Sequence, residues 1–126
     1  MSTIYSKAFD ALAAYDASMV KDVNVAAIAV DMAWTTLSRI DAELSAMDRR
    51  AVNYADRCEA RENVSERIET FVARVMEYVT RERGKLSGTH ARIEFHRAFL
   101  NARKVARENA ERNNGAYFDG EMYYCV

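Results

Sequence analysis

Apolar side chains recur at alternating steps of four and three through most of the chain. From residue 33 the a- and d-type positions are Ala33, Leu37, Ile40, Leu44, Met47, Ala51, Tyr54, Cys58, Arg61, Ser65, Ile68, Val72, Val75 and Val79. Only Arg61 and Ser65 interrupt this seam of fourteen. A repeat of about 3.5 residues keeps one stripe of a helix facing one partner. No glycine precedes Gly84 and there is no proline, so nothing in residues 1–83 removes a backbone donor or loosens a helix. The pattern predicts an all-α protein, an elongated antiparallel bundle of four or five helices forming one domain over 1–126. A short C-terminal β-hairpin follows the helices.

Local signals set the expected boundaries. Thr3 suits the N-cap of a first helix near 3–19, carried by Ile4, Ala8, Phe9, Leu12 and Tyr15. Lys21-Asp22-Val23-Asn24 interrupts the pattern, with Asn24 as cap of a second helix over 24–62. Its first turns are apolar on two sides: Val25, Ile28 and Met32 on one, Ala26, Ala33 and Leu37 on the other. Such a helix sits between two neighbours, so the first helix is expected to fold back onto it. Two capping-box patterns compete for the next break, Ser45-Ala46-Met47-Asp48 and Asn63-Val64-Ser65-Glu66. We place the break near Asn63, where both seam violations fall, and expect only a bend near 45–48.

A third helix over 64–83 is capped by Gly84, and a loop through Gly88 leads to Ser87 or Thr89 as cap of a last helix over 89–113. Asn113-Asn114-Gly115 suits a left-handed cap. Residues 116–125 read as a hairpin about a type I′ turn at Asp119-Gly120. The seam can close within the chain or on a second copy, so a homodimer is compatible with the pattern.

At 126 residues, half apolar and 29% charged, the chain is long enough to bury a core without metal or disulfide support. The N-terminus carries no secretion-leader pattern, and no uncharged stretch approaches the roughly 20 apolar residues of a membrane span. Cys58 and Cys125 are too few for a disulfide framework, so a cytoplasmic location is expected. The net charge of −1 is unevenly spread: −4 over 1–48, +5 over 49–112 and −2 over the last fourteen residues. Fourteen of the eighteen bases are arginine. Many alternate with glutamate, as Glu77 and Arg81 do, the usual pattern of a solvated helix face.

Reactive constellations are scarce. Neither Gly-x-Ser-x-Gly nor His-Glu-x-x-His occurs, and His90 with Glu94 makes one pair where a metal needs three or four ligands. No catalytic residue, metal or cofactor is therefore expected. Gly84-Lys85-Leu86-Ser87 lacks the upstream glycine and the strand of a phosphate loop, though it lies beside Arg81 and Arg83 at a helix start, where an anion can sit.

Binding candidates are clearer. Arg92, His96, Arg103 and Arg107 form a stripe on the last helix that suits nucleic-acid phosphates or an acidic partner; arginines at the rim of the core are the plainer alternative. Trp34, flanked by Asp31 and Asp41, suits an anchor for a basic partner or the margin of the core. Tyr117, Phe118, Tyr123 and Tyr124 suit either a contact patch or a lid over the bundle.

These features favour a non-enzymatic protein-interaction module that binds, and inhibits or scaffolds, a larger partner. Phage and mobile-element inhibitors of host or defence complexes are often chains of this kind. The alternative is a nucleic-acid-associated helical subunit using the basic 49–112 segment.

Overall fold

The computed structural model describes residues 3–126. Helix α1 (Ile4–Ala14) starts at Thr3, whose hydroxyl accepts the Ser6 amide at 3.1 Å. It stops well before residue 19. Tyr15 takes a left-handed conformation (φ 50°), and its amide turns back to the carbonyls of Ala11 and Leu12. Asp16 then accepts the Ser18 amide at 3.0 Å, holding Ala17–Met19 as a separate 3-10 turn. A short polar side chain that bonds its own backbone competes with helix continuation, and here it wins.

Helix α2 (Val23–Ala46) is capped by Asp22, not Asn24. The Asp22 carboxylate accepts the amides of Asn24 at 2.8 Å and Val25 at 3.3 Å, and its charge suits the positive end of the helix. This helix is the hub of the fold, packing against α1 and against the two long helices that follow. All nine residues from Val25 to Ala33 are buried, as expected for a helix apolar on two sides. Four of the nine are alanines, which let neighbouring helices approach closely.

The next break falls at 47–53, where only a bend was expected. Asp48 accepts the Arg50 amide at 2.9 Å and turns the chain there. Helix α3 (Tyr54–Gly84) then runs 31 residues, straight through Asn63. Both seam violations are explained by packing. Arg61 grips Asp41 of α2 through two bonds, at 2.7 and 3.2 Å, and Ser65 is small enough to be buried against the neighbouring helix. Arg61 meets Asp41 while Tyr78 donates its hydroxyl to the Lys21 carbonyl, so α2 and α3 run antiparallel. The seam thus folds back on itself, its α2 half facing its α3 half.

Gly84 is the last residue of α3, and the cap is Lys85 in a right-handed conformation. Helix α4 (Thr89–Arg112) follows Gly88, with no side-chain cap from Ser87 or Thr89. It buries Phe99, Ala106 and Ala110. It ends in the left-handed pair Asn114 (φ 56°) and Gly115 (φ 94°), where the Gly115 amide reaches the Ala110 carbonyl at 2.7 Å.

Strands β1 (Ala116–Phe118) and β2 (Tyr123–Cys125) pair antiparallel, with Tyr117 opposite Tyr124 and Phe118 opposite Tyr123. The turn is centred on Gly120-Glu121, one residue later than expected. A type I′ turn needs positive φ at both central residues, and only Gly120 has it (φ 102°). Asp119 stands outside the turn centre because its carboxylate accepts the amides of Glu121 and Met122, at 2.9 and 2.8 Å.

The core lies around the first half of α2, with Ala8 and Leu12 of α1, Ile68, Phe71 and Val75 of α3, and the inner face of the hairpin. Beyond it α2 and α3 continue as a two-helix arm, in which no residue from Trp34 to Val64 is fully buried.

Candidate binding surfaces

Asp31 sits in the all-round buried stretch of α2 with its side chain 1% exposed. A carboxylate there survives only if its charge is met, since an unpaired buried ion is very costly. Arg107 donates from Nε to Oδ1 at 3.2 Å, Arg103 approaches the same oxygen at 3.9 Å, and Tyr117 donates its hydroxyl to Oδ2 at 2.6 Å. With the tyrosine proton committed to Asp31, the Thr35 hydroxyl at 2.8 Å is the donor to Tyr117. Burial, and next the bond to Asp31, raise the Tyr117 pKa above its ordinary value of 10. This cluster is closed: each member is answered by another, and among the described residues no buried polar side-chain atom lacks a partner.

That geometry decides among the readings open for these residues. Asp31 is no surface acid beside Trp34 and offers nothing to a basic partner. Arg103 and Arg107 turn toward Asp31, although each stays about two-fifths exposed. Tyr117 faces inward, fully buried. Trp34 itself is half-buried against the core. Asp41 is held by Arg61, whose guanidinium keeps the carboxyl below its ordinary pKa.

The tyrosine-rich tail divides by face, as strand alternation requires. Tyr117 and Tyr124 face in: Tyr5 lies 6.4 Å from the Tyr117 ring and Phe9 lies 5.4 Å from the Tyr124 ring. Phe118 and Tyr123 stack on the outer face at 4.6 Å, with Tyr123 exposed. Asp119 ties the hairpin to the start of α1, accepting from Thr3 at 2.9 Å and from Tyr124 at 2.8 Å. The Met122 and Glu121 amides, then the Tyr124 hydroxyl, hold its carboxyl well below the usual carboxylate range.

Two open surfaces lie at opposite ends of α3. On the arm, Ile40 and Leu44 of α2 and Met47 at its C-cap line a groove with Ala60 and Val64 of α3, edged by Glu43, Arg57 and Arg61. At the other end, Arg83, Arg92, His96 and Arg97 line a cleft between the end of α3 and the start of α4, with Thr80, Thr89 and Ile93. Arg92 and His96 of the expected stripe therefore belong to a different site from Arg103 and Arg107. From sequence Ile40, Leu44, Met47 and Arg61 read as seam positions and not as a binding groove, and Arg97 was not singled out. The pair His90–Glu94 forms at 3.2 Å on the surface, and among the described residues no three His, Cys, Asp or Glu side chains gather to hold a metal ion. No described helix is long and apolar enough to cross a membrane.

Comparison with protein-family models, curated proteins and solved structures finds no match to this chain, so its function has to be argued from its own residues.

Proposed function

We propose that the chain is a protein-interaction module whose two-helix arm receives an amphipathic helix of a larger partner. The observation that carries this is the unfinished packing of the arm. In the body α2 is covered by three neighbours, whereas along the arm, where α2 and α3 pair, no residue from Trp34 to Val64 is fully buried. Ile40 and Leu44 stand one turn apart on α2 and Met47 follows at its C-cap, an apolar strip that suits the ridge of one more helix. Arg57 on the α3 edge suits an acidic residue on that helix. A partner that needs the arm would be inhibited or scaffolded by occupying it.

No reaction of its own belongs to this proposal, and the polar groups of the body, Asp31, Arg107, Tyr117 and Thr35, bond one another. A cytoplasmic location, with Cys58 and Cys125 as free thiols, is part of the same proposal. The alternative, a nucleic-acid-associated subunit, draws less support because Arg103 and Arg107 are drawn onto Asp31.

A photo-crosslinking residue at position 44, introduced in the cell that makes the chain, tests the proposal. One defined partner should be captured there and not from exposed Lys7 on α1, and Arg57→Glu should abolish the adduct while the purified variant keeps its helicity. Light scattering on the purified chain should give a mass near 14.3 kDa. Adducts consisting only of a second copy, or a mass of twice that value, would assign the groove to self-association instead.

A further inference from the structure

We propose that the cleft between the end of α3 and the start of α4 binds the phosphoryl group of a phosphate monoester. Arg83, Arg92 and Arg97 line it together with His96, and no carboxylate is among its lining residues. The nearest acids in sequence are already engaged: Glu82 pairs with Lys85 at 2.8 Å and Glu94 with His90 at 3.2 Å. Among the described residues none of the three arginines makes an ion pair. Three guanidiniums around one concavity with no carboxylate in its lining make a local positive field suited to an anion.

Guanidinium forks match phosphate oxygens bidentately, and the Thr80 and Thr89 hydroxyls add neutral donors at the same place. The start of α4 contributes in the same sense: its cap position is Gly88 with no side-chain bond, and its first turn holds no acid. The cleft of about 540 Å³ has room for the group carrying the phosphate, with Ile93 as apolar contact. A compact dianion fits better than a nucleic-acid strand. The basic residues do not continue as an unpaired track along α4, because Arg103 and Arg107 meet Asp31, and no Phe, Tyr or Trp lines the cleft to stack a base.

The test is an NMR titration of the whole chain at constant ionic strength with inorganic phosphate, a phosphoserine pentapeptide and a short oligothymidylate. Phosphate should shift the amides around Arg83, Thr89, Arg92 and Arg97. The double variant Arg92→Gln, Arg97→Gln should weaken it at least tenfold, while Arg49→Gln, Arg50→Gln at the tip of the arm should leave it unchanged. All four side chains are exposed, so both variants should melt as the parent does. A tighter complex with the peptide would identify a phosphorylated protein as the source, and equal affinity a small phosphate compound. Shifts spread over every arginine, or affinity untouched in the cleft variant, would overturn the proposal. So would tighter binding of the oligothymidylate with shifts running along α4 past Arg103.

Discussion

The hydroxyl of Tyr117 lies 2.6 Å from Oδ2 of Asp31, joining residues 86 positions apart. It places the C-terminal hairpin on the central helix and supplies one of the donors that let a carboxylate stay buried there. The tail is therefore part of the fold, and its outer face, Phe118 and Tyr123, is what remains for contact.

Replacing Tyr117 by Phe keeps the ring and removes that donor. Oδ2 of Asp31 loses its bond and the Thr35 hydroxyl loses its acceptor, so the variant should be less stable by about 2 kcal/mol in urea unfolding at pH 7. The pH dependence has a definite sign. The folded-state pKa of Tyr117 is raised above 10, so its contribution is complete below pH 10 and is lost as pH rises through the folded value. The stability gap between parent and Tyr117→Phe should thus narrow above pH 10. A gap independent of alkaline pH would mean that the Tyr117 proton does not hold the tail down.

Asp119 should govern part of the acid limb. Its pKa is depressed in the folded chain, so the stability it contributes is present above the ordinary carboxylate pKa of about 4 and is lost as pH falls below it. Asn at this position retains an acceptor for the Glu121 and Met122 amides but carries no charge to titrate. The melting temperature of Asp119→Asn should therefore fall less than that of the parent between pH 5 and pH 2. Parallel curves would remove Asp119 from the account of acid unfolding.

Arg103 and Arg107 should prove mutually redundant toward Asp31. Arg107 makes the hydrogen bond at 3.2 Å and Arg103 stands at 3.9 Å, so Arg107→Gln should cost more than Arg103→Gln, each within about 1–2 kcal/mol. Removing both leaves the buried carboxylate with Tyr117 alone, and the double variant should lose roughly 3–5 kcal/mol, more than the sum. Denaturant midpoints of the three variants check this, and strict additivity would show that the arginines act independently.

What the chain determined by itself is whatever depends on neighbours a few residues away. Helical class follows from the period of the apolar positions and the absence of early glycine and proline. The cap at Thr3, the left-handed end at Asn114-Gly115 and the two-sided burial of Val25–Ala33 rest on spacings of one to four residues. The boundaries that went astray were decided by competition between similar local signals. Asp16 and Asp22 won amides from the neighbouring helices, and the capping patterns near 45 and 63 looked alike in isolation. Only the tertiary structure chose between them, because the partner that makes Arg61 acceptable inside the seam is Asp41, twenty residues earlier and adjacent only once the hairpin has formed. The candidate sites were redrawn for the same reason. Asp31 reads as a surface acid until Tyr117 and Arg107 arrive from 86 and 76 residues away, and the cost of burying its charge is met only by that long-range arrangement. The groove and the arginine cleft are likewise products of where helices stop covering one another, which no single helix records in its own sequence.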